Sequence, residues 1–190
     1  MVEMFRRTGL FVTALALAAG LAPVATASAA PVGASASASA PYCGITWGSQ
    51  PKTVSGDETP SSPGFRNIRA GRHDCFDRLV FDFRGNLDYY RAQYVTTVHR
   101  SMSGEVVPLR GGAKLLISFY ATQRPSAGGI YQCTNCTELV NVAGYRTFRQ
   151  ASWAGNYRST PNIGLGLRAR LPFRVFELPN RLVIDVAHRW

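Results

Sequence analysis

Residues Arg78 to Phe83 read RLVFDF, and residues Arg181 to Val186 read RLVIDV. In the first string Leu79, Phe81 and Phe83 point one way while Val80 and Asp82 point the other. In the second, Leu182, Ile184 and Val186 oppose Val183 and Asp185. A period of two makes a strand with one face in a core. Such strings are common in strands, so their similarity gains weight only from its surroundings. Two matching strands about a hundred residues apart predict a sheet protein with symmetry-related halves.

The strands around them have the same character. Tyr90, Ala92, Tyr94, Thr96 and Val98 alternate with polar residues, and Leu115, Ile117, Phe119 and Ala121 follow the Gly111-Gly112 turn. Thr147 to Ala154 reads as another strand. Ile163, Leu165, Leu167 and Ala169 alternate with Gly164, Gly166, Arg168 and Arg170. Phe173 to Leu178 turns through Pro179-Asn180 into Arg181 to His188, a hairpin pattern. Breakers at Pro60 to Gly64, Arg84 to Asn86, Ser103-Gly104 and Pro125 to Gly129 separate these runs. Helical periodicity is confined to a short turn around Glu138 to Val142. About eight strands in this span predict an all-β sandwich or closed barrel.

The N-terminus has the order of an export signal. MVEMFRR is followed by an apolar run from Gly9 to about Val24 and by ATASAAP. That is a secretory signal peptide over residues 1–29, with cleavage after Ala27 or Ala29. The run is short against the roughly 20 apolar residues of a membrane span, so no transmembrane anchor is expected. Cys43 follows Ala-Pro-Tyr, which is not a lipobox. Residues 30–41, containing VGASASASAP, form an Ala/Ser-rich flexible spacer. Residues 42–190 are one domain. The expected location is secreted, extracellular or associated with the cell wall.

The net charge is +10, and removing Arg6, Arg7 and Glu3 with the leader leaves +9. A basic exported protein attracts polyanions such as wall polymers and acidic glycans. Its arginines are scattered, so they also serve as ordinary solubilising cations. Export removes the usual nucleic-acid partner, and no specific nucleic acid is expected. Four cysteines, Cys43, Cys75, Cys133 and Cys136, read as two disulfides with three possible connectivities. Cys43–Cys75 with Cys133–Cys136 is the favoured pairing. The first ties the N-terminal segment to the strand near Arg78, and closing that loop contributes roughly 3–4 kcal/mol in the chain-entropy account. The second pins a turn. Neither a βαβ setting for redox chemistry nor a second knuckle for zinc is visible. No cofactor or metal is expected.

Together, CGITWGS (Cys43 to Ser49), GRHDCFDRLVFDF (Gly71 to Phe83) and GLGLRARLPFRVF (Gly164 to Phe176) resemble the AMIN-like domain of exported proteins in high-GC Gram-positive bacteria. LPFRVFELPNRLVIDVAH (Leu171 to His188) is similar to the closing hairpin of AMIN domains. The resemblance implies a sandwich of two small symmetry-related antiparallel sheets. AMIN domains accompany cell-wall amidases or secretion channels and direct them to peptidoglycan. No amidase or channel sequence follows this domain in the 190 residues, so the expected role is binding without an attached catalytic cargo.

His73 in HDCFD, beside Asp74 and Asp77, invites a base-and-orienter reading. No G-x-S-x-G or HExxH motif supports it, and His73, His99 and His188 lie on different elements. Asp82 and Asp185 would be paired carboxylates only by their repeat, and arginines such as Arg78 and Arg181 are better partners for them. No catalytic residue is assigned. A binding face is read from Arg149, Trp153, Tyr157 and Arg158 in TFRQASWAGNYRS, joined by Arg168 and Arg170. Aromatic rings stack on sugars, and arginine forks grip carboxylate or phosphate. Gly164 and Gly166 leave room on that face for a flat polymer. Core packing of Trp153 is the competing reading, and Trp47 reads as a packing anchor beside Cys43. The expected function is noncatalytic binding of peptidoglycan or an anionic wall polymer, the alternative a protein-interaction module for another exported protein.

Overall fold

The structure is a computed structural model, and it describes residues 41–56, 63–122 and 131–190. The leader and all but the last residue of the spacer lie outside the described residues, as do the breaker Pro125 to Gly129 and the first three residues of the breaker Pro60 to Gly64. Nine strands are described: β1 (Lys52–Val54), β2 (Gly64–Arg72), β3 (Phe76–Arg84), β4 (Tyr90–Val95), β5 (Ala113–Phe119), β6 (Phe148–Tyr157), β7 (Thr160–Leu167), β8 (Phe173–Leu178) and β9 (Arg181–Ala187). They form two antiparallel sheets, β1-β4-β5-β7-β6 and β2-β3-β9-β8. The all-β sandwich read from the sequence is observed.

The two strings pack as their alternation predicts. Leu79, Phe81, Phe83, Leu182, Ile184 and Val186 join Leu115, Ile117, Phe119 and Leu165 of the other sheet in one core. Phe65, Phe81 and Phe83 converge on Phe119 with ring centroids 5.1 Å away in each case. Such edge-on aromatic contacts add to the burial of large apolar surface.

The sheets have five and four strands, and the echo of the two strings relates neighbours inside the smaller sheet. β3 and β9 pair antiparallel with Val80 opposite Val183, Arg78 opposite Asp185, and Asp82 opposite Arg181. A local two-fold between Val80 and Val183 therefore carries one string onto the other. The β8–β9 hairpin closes through Pro179 and Asn180, whose φ of 59° is left-handed. The Asn180 carbonyl accepts the Phe83 N–H at 2.9 Å, locking this turn to the end of β3.

Both favoured disulfides are present, Cys43–Cys75 and Cys133–Cys136. The second pins a turn against the edge of β6, where the Cys136 carbonyl accepts the Trp153 N–H at 2.7 Å. Glu138 to Val142 is irregular, not helical, with turns on either side of it.

Two expectations are corrected. β7 ends at Leu167, so Arg168 and Arg170 lie in the connection to β8 rather than on a strand. Gly164 and Gly166 are buried, and a Cβ on Gly166 would lie 2.1 Å from the Arg110 carbonyl oxygen. One on Gly164 would lie 2.7 Å from Leu109. The segment after β4 crosses this face, burying Val98 and Val107 against Ala154. The glycines admit the protein's own backbone, not a polymer.

Candidate functional site

The outward face of the four-stranded sheet is built by the residues that alternate with the core. From β2 it presents Arg69 and Gly71; from β3, Phe76, Arg78, Val80 and Asp82. From β9 come Arg181, Val183 and Asp185, and from β8, Arg174, Phe176 and Leu178. Arg69, Arg78, Arg174 and Arg181 meet two aspartates here.

Each aspartate is gripped from two strands. Asp185 accepts Arg78 Nε at 2.7 Å and Nη2 at 2.9 Å, a bidentate fork, and Arg174 Nε at 2.8 Å. The Asp185 side chain is 0% exposed. Arg78 lies over the rings of Phe76 and Phe176, at 5.1 and 5.4 Å. Arg174 lies over Phe176 at 4.9 Å and Trp47 at 5.6 Å. Stacked guanidinium planes of this kind gain from ring and carboxylate together. The Asp82 end is open. Arg69 forks onto Asp82 at 2.7 and 2.9 Å, and Arg181 approaches it at 3.5 Å, with both arginine side chains about half exposed. The Asp82 carboxylate raises the Arg69 guanidinium above its ordinary value, chiefly through the hydrogen bond.

Between these rims runs a groove of about 270 Å³, with Gly71, Val80 and Val183 in its floor and Arg69, Arg78 and Arg181 along it. Gly71 is open on this side, since a Cβ there would meet only His73, 3.7 Å away. Chemically this is a shallow groove whose Val80 and Val183 are almost covered, so what it offers is guanidinium groups fixed in position. It suits an extended polymer that carries regularly spaced anions.

The six residues picked from the sequence are dispersed. Arg149 folds back onto the carbonyls of Tyr145 and Phe148 at 3.1 and 2.9 Å. Trp153 packs against the core edge, 6.0 Å from Tyr131. Tyr157 and Arg158 stack on each other at 5.2 Å at the β6–β7 turn, at the far end of that hairpin from Arg149. Arg168 donates to the His188 carbonyl at 2.8 Å, and Arg170 lies over the Tyr94 ring at 4.6 Å. None of the six is on the outward face of the smaller sheet. That face was missed because Phe76 and Phe176 look like core residues in sequence, and their outward parity follows only once β3 and β8 are known to extend over them.

His73 stacks on Phe76 at 4.5 Å, and it is His188 that meets Asp77, with Nε2 at 3.2 Å from Oδ1. Asp77 also accepts the Thr147 and Phe148 N–H groups and the Thr147 hydroxyl. This buried carboxylate ties β3 to the start of β6 across the sandwich. The hydroxyl is bonded to the carboxylate, not to the imidazole, so the trio lacks the order of an activated nucleophile. Among the described residues no cluster of ligands suits a metal ion, and no helix is long and apolar enough to cross a membrane.

The family model of the AMIN-like domain matches residues 63–188, more than half of the chain. No curated protein and no solved structure matches.

Proposed function

The chain belongs to the AMIN-like domain family, and from that premise we propose that it is a noncatalytic module that binds peptidoglycan or an anionic wall polymer outside the cell. AMIN-like domains are generally binding modules of this cell-wall-related kind, and two disulfides fit an extracellular protein. The observation that carries the reading is the groove on the smaller sheet, floored by Val80 and Val183 and flanked by Arg69, Arg78 and Arg181. Each fork spends part of its donors on an aspartate, which fixes its direction. Arg69 donates through Nε and Nη2, leaving Nη1 to turn to a ligand anion.

Co-sedimentation with isolated cell-wall sacculi, with and without their anionic polymers, tests this across a salt series. Pelleting should weaken as salt rises and should fall in an Arg69→Gln/Arg181→Gln double variant. Absence of pelleting at low salt would sink the reading. Arg168→Ala/Arg170→Ala tests the dispersed set in the same assay. The alternative, a protein-interaction module, is supported by Met102 and Val106, 84% and 53% exposed on the arch over the larger sheet. A partner bound there would be insensitive to salt.

A further inference from the structure

A second arginine-bearing surface is built by segments that flank the family-matched region. The turn at Tyr42–Gly44 begins it, with Cys43 at φ 56° and Gly44 at φ 68°. The left-handed region is unfavourable for a residue with a Cβ. It is held there by its disulfide to Cys75, by Trp47 Nε1 donating to the Tyr42 carbonyl at 2.8 Å, and by the Phe173 N–H donating to the Gly48 carbonyl at 2.8 Å. The other wall follows β9. His188 is fixed by Asp77 and by the Asp74 carbonyl, so Arg189 emerges over the Tyr42 ring, 4.7 Å away. Trp190 then lies across the rim, its Nε1 donating to the Arg170 carbonyl at 3.2 Å.

These walls enclose a cleft of about 630 Å³ lined by Tyr42, Trp47, Pro172, Arg189 and Trp190 among others. That is within the span of small-ligand sites, roughly 300–1,000 Å³. Its chemistry differs from that of the sheet face. No acidic residue lines it, and among the described residues no carboxylate is in ion-pair reach of Arg189. The Trp190 side chain is no part of the core, with 71% of its surface exposed. Pro41 to Trp47 and Arg189 to Trp190 all lie outside residues 63–188.

We propose that this cleft is a separate binding site for a sugar ring bearing a carboxylate. A free phosphate or acetate has no use for three aromatic walls, and a neutral sugar has no use for an uncompensated guanidinium. An acidic pyranose uses both: its C–H face lies on the indoles, and its carboxylate takes the exposed edge of Arg189, whose plane is already ordered by Tyr42. A hexuronate of an acidic polymer and a muramic acid whose lactyl group carries no peptide share this chemistry.

The test is titration of the intact protein, following tryptophan fluorescence and heat, with a hexuronate disaccharide, N-acetylmuramic acid, a neutral disaccharide and inorganic phosphate. At least one acidic sugar should bind about tenfold or more tightly than the neutral sugar and phosphate, as one charge-assisted contact supplies. Arg189→Gln and Trp190→Ala should each weaken it by a similar factor with an unchanged melting temperature. Binding of only one acidic sugar identifies its source, and the class stands. Equal binding of the neutral sugar or phosphate, binding of neither acid, or an Arg189→Gln variant of full affinity would overturn the proposal. The Arg69→Gln/Arg181→Gln protein separates the two sites: its sacculus pelleting should fall while its acidic-sugar affinity stays unchanged, whereas Arg189→Gln should lose that affinity.

Discussion

The sheet face and the terminal cleft both set arginines on aromatic rings, but only the first supplies them with aspartates. On the sheet, Arg78 and Arg174 converge on a buried Asp185, so most of their charge is spent inside the protein. In the cleft, Arg189 has a ring beneath it and no acid beside it. The same side chain is therefore architecture in one place and an open valence in the other. A count of arginines does not reveal which ones are available to a ligand; their acidic neighbours do. The sheet face offers direction with little net charge, whereas the cleft offers charge on a small, aromatic site.

The largest effect that would break the comparison is on folding. Asp185→Asn should destabilise the protein by about 3 kcal/mol, because it leaves two converging guanidinium groups without their counter-charge. Urea unfolding measures this, and a loss below about 1 kcal/mol would mean that the rings alone hold these arginines. Arg189→Gln, in contrast, should leave the unfolding midpoint unchanged. A smaller effect sharpens the contrast within the sheet. Asp82→Asn should cost less than about 1 kcal/mol, since its partners are half exposed. A double-mutant cycle with Arg69 would show whether the open end of the lattice is coupled at all.

The smallest effect is alkaline. Burial pushes the Tyr94 phenol up to about 12, while the Leu171 N–H and Arg170 pull it back. A raised folded value means its contribution is intact below the unfolded value near 10 and is lost as pH climbs from there towards 12. Wild-type protein should thus lose stability relative to Tyr94→Phe across that window and not below pH 9. If the two curves stay parallel, Tyr94 is not held by burial beside Arg170, and the ring-held half of the comparison weakens.

Strand faces were legible because burial is written residue by residue. Leu79, Phe81 and Phe83 point inward for the same reason whether or not their partner is known. Compartment and an even cysteine count made two disulfides legible, and of the three connectivities they left open the favoured one is observed. Pairings across the fold were not. Asp77 finds His188 from 111 residues away, while the sequence offers His73 four residues before it. Gly164 and Gly166 signalled close approach without saying by what, and the answer was the Leu109 and Val98 side chains for the first and the Arg110 backbone for the second. Tyr157, Arg158, Arg168 and Arg170 are near in sequence but are separated by the length of β7. The cleft stayed hidden because its walls come from Tyr42 to Trp47 and from Arg189 and Trp190, which only the fold brings together.

The paired strings of β3 and β9 carry a further consequence for how the chain finds this fold. Arg-x-x-x-Asp is its own complement when reversed. In the antiparallel register observed, Arg78 meets Asp185 and Asp82 meets Arg181. Run the same strings parallel and in step, and arginine lies beside arginine, aspartate beside aspartate. Slip the antiparallel pairing by four, and Arg78 meets Arg181. Slip it by one, and every core side chain turns to water. Two strands so distant in sequence pair slowly, and charge and burial together favour the observed register over these three alternatives.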